Sequence, residues 1–152
     1  MRRPLTALTV LSLTATLTAP ASAAAVWAGV DATTSGYGVH AGTALLPIPF
    51  IGTIGLEGSA ERPWQATDTS YNRYAAGVTL RDLNLPLTKV DAFATVGGQL
   101  TTPTAQGSEN RFALYGETGL RGPVLGPAGW RAFVRASTAG QIGAGIGLEL
   151  RF

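Results

Sequence analysis

His40 is the residue of this sequence best suited to acid–base chemistry, because it is the one histidine in the chain and imidazole titrates near neutral pH. To activate a nucleophile it would need a hydroxyl and an orienting carboxylate. The hydroxyls that could approach it, none of them in a recognisable motif, are Ser35, Ser59 and Ser137. We therefore predict no catalytic residues and expect His40 to be structural, hydrogen-bonded to Asp31 or Glu57.

The sequence indicates no metal or cofactor site. It contains no cysteine, which excludes thiolate ligands and disulfides. One histidine and scattered carboxylates do not have the spacing of a metal-binding set. We predict neither a metal nor a cofactor.

The other groups that could act chemically are charged side chains, which make up only 13% of the chain. We expect those on the inner face of the sheet to pair with one another, because an unpaired charge in a low-dielectric interior is very costly. The predicted network consists of Asp31, His40, Glu57, Arg73, Asp91, Glu117, Arg131, Arg135, Glu149 and Arg151.

Strands must position these groups, because the 20 glycines and 9 prolines argue against helices. Alternating polarity predicts eight strands, near 25–32, 36–46, 50–60, 71–81, 88–100, 111–121, 129–138 and 142–152. Where well defined they have ~9–11 residues, the length that a tilted strand needs to cross a bilayer. Three compact connections carry proline, and two longer polar ones are expected at 60–70 and 101–110.

Alternate positions separate charged from apolar residues, since successive side chains of a strand point to opposite faces. In the last strand, Ile146 and Leu148 share one face, while Glu149 and Arg151 share the other with three glycines. Five strands carry two or three charges each, and in each strand those charges lie on one face. The apolar faces carry no charge, which indicates one consistent sheet.

Two kinds of barrel could use this pattern. A lipocalin-like soluble barrel turns its apolar face inward, whereas a membrane barrel turns it towards lipid, where a charge costs ~2–4 kcal/mol at the midplane. The polar face here has a single lysine among glycines, alanines, aromatic residues and arginine–carboxylate combinations. Eight strands leave an interior just wide enough for such a mixture of small and long side chains. This favours the membrane barrel.

Residues 1–23 have the pattern of a cleaved export signal: two arginines, an uncharged stretch and a small-residue triplet at 21–23. The alternative is an uncleaved membrane anchor, but Pro20 interrupts the ~20 apolar residues that a spanning helix needs. Cleavage would leave a barrel domain at 24–152 with nine basic and nine acidic residues, since two of the eleven basic residues are removed. That balance does not support a nucleic-acid partner.

The end of the chain resembles the C-terminal assembly signal of bacterial outer-membrane proteins, through Gly147, Leu150 and Phe152. With the alternating strands, residues 24–152 resemble the small eight-stranded outer-membrane barrels, the group of the OmpA transmembrane domain and OmpX. The resemblance implies an up-and-down transmembrane barrel, handled by the barrel assembly machinery and surrounded by outer-membrane lipids.

We therefore expect a monomeric, non-enzymatic barrel in the outer membrane of a diderm bacterium. Its role would be structural or one of surface interaction, with a lumen plugged by paired charges. One alternative is a soluble secreted lipocalin-like barrel that binds a small apolar ligand inside. A third is an outer-membrane lipid-modifying enzyme.

Overall fold

The computed structural model of the chain describes residues 26–67, 69–104 and 109–152. These residues form eight strands, β1 (Val26–Thr33), β2 (Gly36–Ile48), β3 (Gly52–Pro63), β4 (Tyr71–Asn84), β5 (Asp91–Pro103), β6 (Arg111–Leu125), β7 (Ala128–Ser137) and β8 (Ile142–Arg151). The predicted all-β, eight-stranded architecture is confirmed. The predicted export segment, 1–23, lies outside the described residues.

The strands form one closed barrel in chain order, and every neighbouring pair is antiparallel, including β8 with β1. Closure removes both sheet edges, so that each strand has hydrogen-bonding partners on its two sides.

The register closes with a stagger of ten residues. Trp130 of β7 pairs with Gly122 of β6. In the other direction around the barrel, the chain of paired residues from Trp130 passes through β8 and β1–β5 and ends at Phe112, which is also in β6. Phe112 and Gly122 are ten residues apart. Such a stagger requires the strands to tilt against the barrel axis.

The two ends of the barrel differ. The turn end has connections of residues 49–51, 85–90 and 126–127, and the loop end has connections of residues 34–35, 64–70, 104–110 and 138–141. The tightest turn places Gly126 at a φ of 56°, a left-handed conformation that glycine adopts without a steric penalty. Both ends of the described barrel, Val26 and Phe152, lie at the turn end and pair through their backbones.

Several predicted boundaries were wrong by three or four residues: β4 ends at Asn84 and not at 81, β5 runs from Asp91 to Pro103 and not over 88–100, and β3 and β6 also end later than predicted. β3 continues to Pro63, so that Glu61 and Arg62 belong to the strand and not to a loop at 60–70. β6 continues to Leu125, which reduces the expected connection to residues 126–127. Strands extend here because backbone pairing with a neighbour continues after the alternation of side chains has become irregular.

The apolar faces point out of the barrel. Leu114, Val134, Leu148 and Ile146 are 59%, 55%, 60% and 67% exposed. The buried residues on the inner faces are instead mainly polar or charged, with a few aromatic rings among them. The polarity is therefore the reverse of that in a water-soluble protein.

In the described ranges we find no helix that is long and apolar enough to cross a membrane.

Candidate functional site: the charged interior

Glu149 lies at the centre of an arginine cluster near the turn end. Its carboxylate accepts hydrogen bonds from Arg81 Nη2 at 2.8 Å, from Arg121 Nη1 at 3.3 Å and from Arg151 Nε at 2.7 Å. Nε2 of His40 lies 3.7 Å from the same group. Glu149 is 2% exposed, so these cations replace the water that a carboxylate would otherwise bind.

Arg131 has the opposite role in the middle of the barrel, where one guanidinium faces three carboxylates. Its Nη1 donates to Glu57 Oε1 at 3.0 Å and its Nη2 donates to Glu117. Its Nε lies 3.8 Å from Asp31 Oδ1. The two clusters are joined by Arg81, whose Nη1 lies 3.6 Å from Glu57 Oε2.

A third group of charges continues towards the loop end. Arg135 bridges Glu61, at 2.6 Å, and Glu117, at 3.0 Å. Arg73 Nε lies 3.4 Å from Glu61. Ser35 also donates to Glu61, at 2.7 Å. Ion pairs therefore follow one another along the barrel from Arg151 to Arg73.

Aromatic rings fill the space beside the guanidinium groups. Arg81 lies 3.7 Å from the ring centroid of Trp27, and Arg131 lies 4.8 Å from that of Phe93 and 4.7 Å from that of Phe133. Arginine stacks favourably on such ring faces. The rings also explain inward glycines: a side chain at Gly145 would collide with the Phe133 ring.

His40 is fully enclosed and 2% exposed. Its Nδ1 lies 2.8 Å from Oδ2 of Asp31. Among the described residues, no hydrogen bond joins the imidazole to a hydroxyl. The three candidate serines bond elsewhere: Ser35 to Glu61, Ser59 to Arg73 and Ser137 to Gln141. Ser59 lies opposite His40 in the pairing of β2 with β3, but among the described hydroxyls none is hydrogen-bonded to the histidine–carboxylate pair.

Nine of the ten residues predicted to form the network take part in these ion pairs, and Asp91 does not. Asp91 begins β5 opposite Arg121, is half-buried, and lines a cavity at the turn end. That these contacts form a plug remains a prediction.

Four ion-pairing residues were missing from the predicted network: Glu61, Arg81, Asp82 and Arg121. Arg81 lies on the inward face of β4 and Arg121 on the inward face of β6. Strict alternation of side chains could therefore have placed both in the predicted network. Glu61 was assigned to a loop, and only the longer strand places it inside the barrel.

Two cavities border the packed interior. One, of about 370 Å³, opens at the turn end beside Trp27, Arg81 and Arg121. The other, near the loop end beside Arg73 and Arg135, has only about 20 Å³, which is room for about one water molecule. In the described part of the chain, no group of three or more histidine, cysteine, aspartate or glutamate side chains is arranged to hold a metal.

The three residues of the predicted assembly signal lie along β8 and just beyond it. Gly147 faces inward, where a side chain would collide with Asp31. Leu150 and Phe152 are exposed on the outside. Their role in assembly remains a prediction.

No family model and no curated protein sequence matches the chain. Solved structures with a similar fold include the following two. The N-terminal β-barrel domain of Pseudomonas aeruginosa OprF is 15% identical with a TM-score of 0.63, covering 84% of this chain and 96% of that one. Neisserial surface protein A is 14% identical with a TM-score of 0.54, covering 87% and 100%. The likeness establishes the fold, that of the eight-stranded outer-membrane barrels.

Proposed function

We propose that the chain is a small barrel of the outer membrane of a diderm bacterium, with a structural or surface-interaction role and a lumen closed by paired charges. The observation that carries the proposal is the reversed polarity of the barrel. Its outer surface carries at least one exposed valine, leucine or isoleucine side chain on each strand from β1 to β8.

Water cannot surround such a surface at low cost. Soluble monomers rarely expose contiguous apolar patches larger than a few hundred Å², whereas hydrocarbon accepts apolar side chains and requires every backbone group to be paired. The closed barrel meets that requirement. The structural neighbours, OprF and NspA, are both outer-membrane barrels, which supports the same location.

The two ends suit opposite sides of a membrane. Outer-membrane barrels have short periplasmic turns and longer outer loops. By that rule the turn end faces the periplasm, and the loops of residues 64–70 and 104–110 face outward. These loops are the surfaces at which a partner, still unidentified, would bind.

The alternatives have less support. A lipocalin-like barrel would need an apolar inner cavity, and the interior described above is charged. A lipid-modifying enzyme would need a hydroxyl hydrogen-bonded to His40. Ser59 lies opposite His40 in the pairing of β2 with β3, but its hydroxyl accepts a hydrogen bond from Arg73, and in the described residues no hydrogen bond joins it to the imidazole. The interior therefore favours a non-enzymatic barrel.

Cell fractionation tests the location. We expect the protein in the detergent-extracted outer membrane, and we expect the unheated sample to migrate differently from the boiled one on a denaturing gel, because a closed barrel resists detergent until it is heated. Recovery from the periplasm or the medium, without a heat-dependent shift, would overturn the proposal.

Conductance tests the closed lumen. The ion pairs of Glu149, Arg131 and Arg135 occupy successive levels of the barrel, and an eight-stranded barrel has just enough inner space for its side chains. We expect no steady ohmic current from the purified protein in a planar bilayer. Long-lived channels of large conductance would show that the charges line a water-filled pore.

A further inference from the structure

A groove of about 1020 Å³ crosses the outer wall of the barrel, over β1–β4, β7 and β8. One row of outward side chains runs along it, each paired with the next across neighbouring strands: Trp130, Leu148, Val30, Val39, Ala60 and Tyr74. Small residues, among them Ala32, Ala60 and Ala132, lie between larger ones. The result is an apolar depression and not an even convex surface.

The groove climbs towards the loop end. Trp130 pairs directly with Gly122 of β6. The row of paired residues that begins at Trp130 and passes around the barrel returns to β6 at Phe112, which is ten residues nearer the loop end than Gly122. Six neighbouring strands span about 24 Å at their usual spacing. With strands tilted near 45° the row rises about 17 Å, close to the ~15 Å thickness of one leaflet. The groove therefore has the length and the slope to hold one acyl chain.

Arg62 lies at the upper end of this groove. It is exposed, lines the groove, and pairs with outward-facing Tyr37. Among the described strand residues it is the one charged side chain on the lipid-facing side, and no ion pair of its guanidinium is found there. Tyr37 packs against Trp64 beside it, with tilted ring planes and ring centroids 5.4 Å apart. Tyrosine and tryptophan are typical of the level of lipid headgroups.

We propose that this groove binds an anionic phospholipid of the outer leaflet, one whose headgroup has no cation of its own beside the phosphate, with one acyl chain along the groove and Arg62 on the phosphate. The proposal rests on the proposed membrane location. A guanidinium can hold a phosphate through two parallel hydrogen bonds. A second copy of the barrel fits less well, because the described strands of its wall offer no outward carboxylate to Arg62.

Native mass spectrometry of the barrel in detergent micelles tests the headgroup. Phosphatidylglycerol and phosphatidylcholine are added as probes to the unmodified protein, to Arg62→Gln and to Arg111→Gln. Arg111 is the matched control, because it is also an exposed arginine near the loop end but lies on the inward side of β6. We expect about tenfold preferential retention of one phosphatidylglycerol. Arg62→Gln loses this preference and Arg111→Gln keeps it.

Ala60→Phe tests the groove itself, since a ring at this position fills the depression while Arg62 is retained. We expect this variant, folded as judged by its heat-dependent gel shift, to lose the bound lipid. If Ala60→Phe does not fold, the comparison of Arg62→Gln with Arg111→Gln decides alone. Equal retention of both lipids by the unmodified protein would overturn the inference, as would a second barrel copy retained in place of lipid. Binding of free glycerol phosphate with the same affinity would show an anion site without a lipid.

Insertion into phosphatidylcholine vesicles separates this inference from the proposed function. A barrel that does not insert contradicts the membrane location itself. A barrel that inserts but shows no preference for the anionic lipid contradicts only the role of Arg62 and its groove.

Discussion

Glu149→Gln is expected to lower the free energy of unfolding of the barrel by about 3–5 kcal/mol, the usual cost of removing one partner from a buried ion pair. The substitution keeps the shape of the side chain but removes its charge. Arg81, Arg121 and Arg151 all lie within 3.3 Å of this carboxylate. Without it, they repel one another in an interior from which water is largely excluded. Urea titration of the protein folded in lipid vesicles measures the change.

Glu109→Gln is the matched control. Glu109 is exposed in the connection before β6, and surface substitutions of this kind usually change stability by no more than about 0.5 kcal/mol. If Glu149→Gln fails to fold where Glu109→Gln folds, the result is the limiting case of the same expectation. Equal stabilities of the two variants would mean that Glu149 is hydrated and that the cluster around it does not hold the barrel together.

Most of the fold could be predicted because the alternation of side chains along each strand shows which of its two faces points into the barrel. In β8 the alternation is unbroken from Ile142 to Arg151, and it assigned Leu148 to the outside and Glu149 to the inside. The number of strands, their order and the polarity of both faces follow from this local signal.

The partners within the interior could not be predicted, because they depend on the stagger and tilt of the whole barrel. Arg81 and Glu149 are separated by 68 positions and lie on strands that are not neighbours, so no local pattern pairs them. The bulge between Leu80 and Leu83 in β4 places Asp82 where it pairs with Arg121. The same alternation assigned Asp91 to the network, but the structure leaves it at the mouth of the turn-end cavity.

The buried charges have a consequence for strand register. Ion pairs in an interior often contribute little net stability compared with apolar residues of similar volume. Here, however, a slip of β8 by one residue would turn Glu149 and Arg151 towards lipid and bring Leu148 and Leu150 into the charged lumen. Each charge in lipid would cost ~2–4 kcal/mol near the midplane. We therefore expect the inward charges to oppose misregistered pairing.

The same cost predicts the effect of a charge placed on the outer face. Val96 lies in the middle part of β5 and is 65% exposed. In a membrane, Val96→Arg is expected to lower the free energy of unfolding by about 2–4 kcal/mol, because the guanidinium must enter hydrocarbon. On a water-exposed surface the same substitution would change stability by no more than about 0.5 kcal/mol. Urea titration in vesicles measures the difference.

Thr102→Arg provides the control on the same strand and face. Thr102 is six residues nearer the loop end than Val96, where an arginine reaches the headgroups and costs only ~0–1 kcal/mol. Both substitutions place the same charge on the same side of β5, but at different depths. In a membrane barrel, Val96→Arg must therefore lower the free energy of unfolding more than Thr102→Arg does. Equal and small effects would mean that water surrounds the apolar wall. In that case something other than lipid, such as a protein partner around the barrel, would have to cover the apolar outer face.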